Sequence, residues 1–102
     1  MAEGYENHDA FYKNVRHGRL QGTYTTTTSG YAPTVIPVTF SAPFEDDNYQ
    51  VFVMIGGPYD AWTTVTLTTN NLTKNGFSMV VNNISNNVRE ITCYFNWLAI
   101  HN

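Results

Sequence analysis

The chain has 102 residues, a formal net charge of -3, only 13% charged residues and 15% aromatic ones. That length makes one domain, and so little positive charge excludes a nucleic-acid partner, which requires clustered Lys and Arg to neutralise phosphates. A single cysteine, Cys93, excludes an internal disulfide and a cysteine-based zinc site, and points to folding in a reducing cytosol.

No apolar run is long enough to span a membrane, so no membrane insertion is expected, and the first residues lack the apolar segment of a secretion signal. The expectation is a chain made in the cytoplasm and, if exported, carried out as part of a particle. Leu and Ile are few for an unstapled domain of this size, so additional buried area is expected from association with further copies.

Residues 1–21 differ in character from the rest. They hold Lys13, Arg16 and Arg19 together with His8 and His17. Asn7 or Asp9 can cap a short helix through Phe11, Tyr12 and Val15 that Gly18 ends; a loosely ordered arm is the alternative.

From Gly22 onward the period is two, and residues 22–102 are expected to form a β-sandwich domain. Thr23 to Thr28 reads as an edge strand or a loop. Ile36, Val38 and Phe40 alternate with Val35, Pro37 and Thr39, and Pro37 confines that strand to an edge or to its own start. Tyr49, Val51, Val53 and Ile55 make one face of the next strand; Phe52 and Met54 make the other face apolar too, which predicts a central strand covered on both sides.

Gly56-Gly57-Pro58 stops that strand. Val65 and Leu67 then alternate with Thr64, Thr66 and Thr68, residues 70–74 read as a connection, and Asn75-Gly76 signals a tight turn. Phe77, Met79 and Val81 form a further inward row. Asn82-Asn83 and Asn86-Asn87 are expected to flank a polar turn around Ile84. In the last strand Ile91, Cys93, Phe95, Trp97 and Ala99 point one way; Thr92, Tyr94 and Asn96 point the other, until Leu98 and Ile100 make both faces apolar. About six short strands at this spacing predict an all-β, antiparallel sandwich.

The motif Val38-Thr39-Phe40-Ser41-Ala42-Pro43-Phe44, the strand from Val51 to Ile55, Asn75-Gly76-Phe77 and the closing Phe95-Asn96-Trp97-Leu98-Ala99-Ile100 together resemble the H-type lectin domain. The Trp-x-Ala-Ile ending also resembles the C-terminal domains of bacteriophage tail fibres. The resemblance covers residues 35–102 and implies a six-stranded antiparallel sandwich that assembles as a homotrimer. In H-type lectins that bind N-acetylgalactosamine, an arginine stands where this chain has Thr64, and a Trp-His pair stands where it has Ile84, Ser85 and Asn86. The family's sugar contacts therefore do not transfer.

Catalysis lacks candidates. Cys93 falls on the inward face of a strand, where a thiol is inert. No nucleophile elbow, phosphate loop, His-Glu metal motif or cofactor fingerprint occurs, and Asp46-Asp47 reads as a solvated pair. No enzyme activity, no cofactor and no metal site is expected. The one metal idea is His101, three copies of which could meet one ion on a trimer axis; the alternative is an exposed terminal histidine.

Ligand recognition has more material. Tyr59-Asp60-Ala61-Trp62 offers two aromatic faces and a carboxylate, and Asn83 and Asn86 offer amides, the combination a pyranose ring requires. The competing reading packs Trp62 at a protomer interface and leaves the asparagines to make turns. The expected function is a receptor- or carbohydrate-binding module, the distal C-terminal piece of a phage or prophage tail fibre located in the virion tail and contacting a host-surface glycan or protein. Alternatives are a free, extracellular H-type-like lectin of other specificity, and a structural trimerisation cap.

Overall fold

A computed structural model describes residues 13–28, 32–57 and 64–102. Six antiparallel strands follow in order: β1 (Val15–Thr25), β2 (Thr34–Thr39), β3 (Tyr49–Gly57), β4 (Thr64–Thr73), β5 (Gly76–Ile84) and β6 (Glu90–His101). They form two three-stranded sheets of order β1-β6-β3 and β2-β5-β4. Only β4 and β5 are joined by a hairpin; the other connections pass from one sheet to the other, which leaves β1 facing β2 and β3 facing β4. No described helix is long and apolar enough to cross a membrane.

Alternation decides which side chains meet between the sheets. From β6, Cys93, Phe95 and Ala99 point inward and are fully buried, flanked by the partly buried Ile91 and Trp97. From β5 come Phe77, Met79 and Val81, also buried. Phe40 stands at the centre of an aromatic group at one end, with the rings of Phe44, Phe77, Tyr49 and Trp97 all within 6.1 Å of it. Tyr49 fixes this end further by donating its hydroxyl to the carbonyls of Gly76 (2.7 Å) and Thr73 (2.8 Å). At the opposite end Tyr24 packs edge-on to Phe95 with centroids 6.3 Å apart.

Pro37 lies on β2, an edge strand, as its missing N–H requires. Four other expectations are corrected. The first strand starts at Val15, so the β-domain begins ahead of Gly22, and Val15 and Gly18 are strand residues rather than the end of a helix. Its inward row, Arg16, Gly18, Leu20, Gly22 and Tyr24, is apolar in only two places, which hides the period. The part of the proposed helix before residue 13 lies outside the described residues.

The strand β3 is an edge strand, not a central one. Its inward face packs as expected, but Phe52 and Met54 on the outward face are 55% and 60% exposed. Residues 70–73 belong to β4, which bulges at Asn71, a left-handed residue with φ of 55°. Thr73 pairs with Gly76 across the two-residue turn 74–75, and a Cβ on Gly76 would stand 2.0 Å from the carbonyl oxygen of Val38, so only glycine fits there. Finally, Asn82, Asn83 and Ile84 end β5, and the polar turn follows them at residues 85–89.

Candidate functional site

The residues expected to recognise a ligand separate into three groups. Tyr59, Asp60 and Trp62 lie outside the described residues. The strand ends that bound them do not: Thr64 pairs with Ile84, so this connection leaves and returns at the same end of the sandwich as turn 85–89. Asn86, on that turn, is exposed.

Asn83 is a core residue with no exposed surface. Its side-chain Nδ2 donates to the Tyr24 hydroxyl at 2.8 Å, and its backbone carbonyl accepts from the Thr27 amide at 2.8 Å. Burial pushes the Tyr24 phenol above its ordinary range, an effect that the Asn83 bond partly offsets. Thr26, equally buried, closes the same end. Its hydroxyl donates to the Asn87 carbonyl at 2.8 Å and accepts from the Arg89 amide at 3.0 Å. Asn83 thus offers no amide to a surface ligand. Its Nδ2 bond to Tyr24 ties the two sheets together at this end, while its Oδ1 is buried without a hydrogen-bond partner among the described residues.

His101 is also committed within the chain. It is the last residue of β6, its ring lies 5.2 Å from that of Phe44, and its Nε2–H donates to Asp46 Oδ1 at 2.7 Å. The Asn48 amide donates to the same oxygen at 2.9 Å. That backbone bond first, and the histidine second, hold the Asp46 carboxyl below its usual range. With its side chain only 13% exposed, His101 is not the free terminal imidazole that the sequence suggests. No group of three His, Cys, Asp or Glu side chains able to hold a metal occurs among the described residues. Cys93 is buried, and burial pushes its thiol up, away from the reactive thiolate.

Two surface features remain, and neither stood among the expected site residues. The first is a cleft of about 530 Å³ along the gap between β1 and the end of β2. Trp97 from β6 and Phe40 are among its lining residues, with ring centroids 5.5 Å apart, although Phe40 itself is buried. Trp97 reaches the cleft because its partner across the strand pair is Gly18, where even a Cβ would stand 2.9 Å from the indole.

Arg16 sets the width of this cleft. Its Nε donates to the Ala42 carbonyl at 2.6 Å and Nη2 to the Pro43 carbonyl at 3.2 Å, while the guanidinium lies 4.5 Å over the Phe44 ring. Loop 40–48 is thereby pinned to β1. Thr39, Ser41 and His17, all exposed, also line the cleft, His17 alternating onto the outward face of the β1-β6-β3 sheet. The sequence signal for this site existed in part: Phe40 and Trp97 were legible as aromatics, but only as core.

The second feature is the outward face of the β1-β6-β3 sheet. Register places His17, Leu98 and Phe52 in one row and Arg19, Asn96 and Met54 in the next, with Ile100 beside Val15 and Gln50. Phe52, Met54, Tyr94, Leu98 and Ile100 are all more than a third exposed, and a hollow of about 220 Å³ lies between Phe52, Met54 and Leu98. Arg19 rests 4.3 Å over the Tyr94 ring at the border. Contiguous apolar faces of this kind are where proteins meet a partner protein, a membrane or a ligand.

Compared with protein-family models, with curated proteins and with solved structures, the chain matches none.

Proposed function

We propose that the chain is a self-assembling recognition module, a homotrimeric β-sandwich that presents a binding surface for a host-surface glycan or protein. The outward face of the β1-β6-β3 sheet carries this reading. Water meets five large apolar side chains there, each 37–60% exposed, and covering that remaining area returns a fraction of the roughly 1.5–3 kcal/mol that full burial of such a side chain gives. A further copy of the chain supplies the missing cover. The trimer, rather than another stoichiometry, rests on the resemblance of the closing Trp97-Leu98-Ala99-Ile100 run to H-type lectins and phage tail-fibre ends. So does the assignment to the tip of a fibre in a virion tail.

Multi-angle light scattering of the purified chain at micromolar concentration is the direct test. A trimer is expected; a monomer sinks the assembly and the fibre-tip reading with it. A glycan array and a cell-surface pull-down on the assembled protein then separate a glycan from a protein receptor, and an assembled protein that binds neither is a structural cap.

A further inference from the structure

We propose that Asn96 sets the number and the register of the copies in the assembly: three Asn96 amides meet on its axis and close a ring of hydrogen bonds. This rests on the homotrimer proposed above and names the residue that specifies it.

Asn96 is the polar interruption of the apolar face. It stands on β6, the middle strand of its sheet, and alternation points its side chain outward between those of Leu98 and Tyr94. Across the strands it is level with Met54 on β3 and Arg19 on β1. Neither engages its amide. Met54 offers only a thioether, and the Arg19 guanidinium lies over the Tyr94 ring. Asn96 makes no side-chain hydrogen bond among the described residues. It is half-buried, and it gives the hollow between Phe52, Met54 and Leu98 its one polar side chain. The backbone beneath leaves it room: a Cβ on Gly56 of β3 would stand 2.9 Å from Nδ2, so a side chain there would displace the amide.

Covering this face with apolar surface alone would take the amide's donors and acceptor out of water and give them nothing in return. An amide has two N–H donors and a carbonyl acceptor, so another amide completes it, and a further copy brings one in the same setting. The width of the sheet fits three copies. Three strands span about 14 Å, and three such sheets facing inward make a triangular prism whose middle strands lie about 4 Å from the common axis. Packed sheets share side chains at a similar half-spacing, about 5 Å. The outward residues of β6 then stack along the axis in layers of Ile100, Leu98, Asn96 and Tyr94. A copy displaced along the axis sets Asn96 against Leu98 or Tyr94 and leaves its amide unpaired. One polar layer among apolar ones thus specifies register and copy number, as a lone buried asparagine does in a coiled coil.

The test compares the full chain with Asn96→Asp, Asn96→Leu and Asn70→Asp by light scattering over a dilution series. Asn70 is exposed on the outward face of the other sheet, so its variant adds the same charge away from the proposed axis. Far-UV circular dichroism checks that each variant keeps its strands. The parent and Asn70→Asp should each give one species of trimer mass. Asn96→Asp should raise the concentration at which the trimer dissociates by about a hundredfold or more, because three carboxylates then share the axis. Asn96→Leu should stay associated at lower concentration than the parent but no longer as a single mass, since an all-apolar interface does not distinguish one copy number from another.

A parent trimer that Asn96→Asp weakens no more than Asn70→Asp does overturns the ring and leaves the trimer standing. An Asn96→Leu variant that remains one trimeric species overturns it equally. A parent that is a monomer or a dimer overturns this inference together with the homotrimer.

Discussion

The two sheets present opposite chemistry to water. The outward face of β2-β5-β4 runs Thr66, Thr68 and Asn70 on β4, Ser78 and Asn82 on β5, and Pro37 on β2. Its apolar members are few: Val80 is 6% exposed between Val35 and Thr68 in register, while Val35 on the edge strand and Ile84 at the end of β5 are 55% and 45% exposed. The outward face of β1-β6-β3 instead carries Phe52, Met54, Tyr94, Leu98 and Ile100 into solvent. One sheet turns a mostly polar face to water. The other has the alternation of a sheet buried on both sides and no described cover. The difference shows that two-sided apolar alternation reports the demand for burial, not the partner that meets it.

The largest effect should come from reversing that chemistry on one face at a time. Phe52→Lys with Met54→Lys places two charges on the apolar face and should convert the proposed trimer to monomers at micromolar concentration, read by light scattering. Thr66→Lys with Thr68→Lys makes the same change on the other face and should leave the assembly intact. Equal effects from the two pairs would erase the distinction between the faces.

Next is the internal closure of the polar sheet. Gly76→Ala drives a methyl into the Val38 carbonyl, where β2 and β4 both pair with β5. Its expected cost is on the order of 3 kcal/mol or more, measured by denaturant unfolding. Asn83→Ala should cost less, about 1–3 kcal/mol, because it leaves the buried Tyr24 hydroxyl without the amide that donates to it. If Asn83→Ala costs nothing, the polar contact at that end does not join the two sheets.

These residues also show what could be read in advance. The inward rows of β5 and β6 were legible because Phe77, Met79, Val81, Cys93, Phe95 and Ala99 are apolar at every second position. The first strand was not, since its inward row includes Arg16, Gly18 and Gly22. There the requirement is for absence of a side chain, or for a cation reaching loop carbonyls, and periodicity cannot register either. In sequence Asn83 looks like a turn residue or a surface amide, because asparagine favours turns; only its neighbours in space, Tyr24 and Thr27, make it core. Trp97 is legible as a core aromatic, but its place at the cleft depends on Gly18, 79 positions earlier in the chain, as its partner in register.

The smallest effect concerns the tie between loop 40–48 and the end of β6. That loop carries the chain from the polar sheet to the apolar one, and the Asp46 to His101 bond fastens it. The Asp46 carboxyl is held below its ordinary value, chiefly by the Asn48 amide and then by His101. A depressed folded-state value means that the unfolded chain takes up the proton first as pH falls. The contribution is therefore whole above the unfolded carboxyl value, about 4, and is lost as pH drops through the lower folded value. Asp46→Asn removes the charge at every pH. Its melting temperature should lie slightly below the parent's at pH 7, and the two should converge as pH falls below about 4, where the parent loses the same interaction. Melting curves that stay parallel down to pH 2 would mean that the bond adds nothing to holding the two sheets together, and that the shared core alone does so.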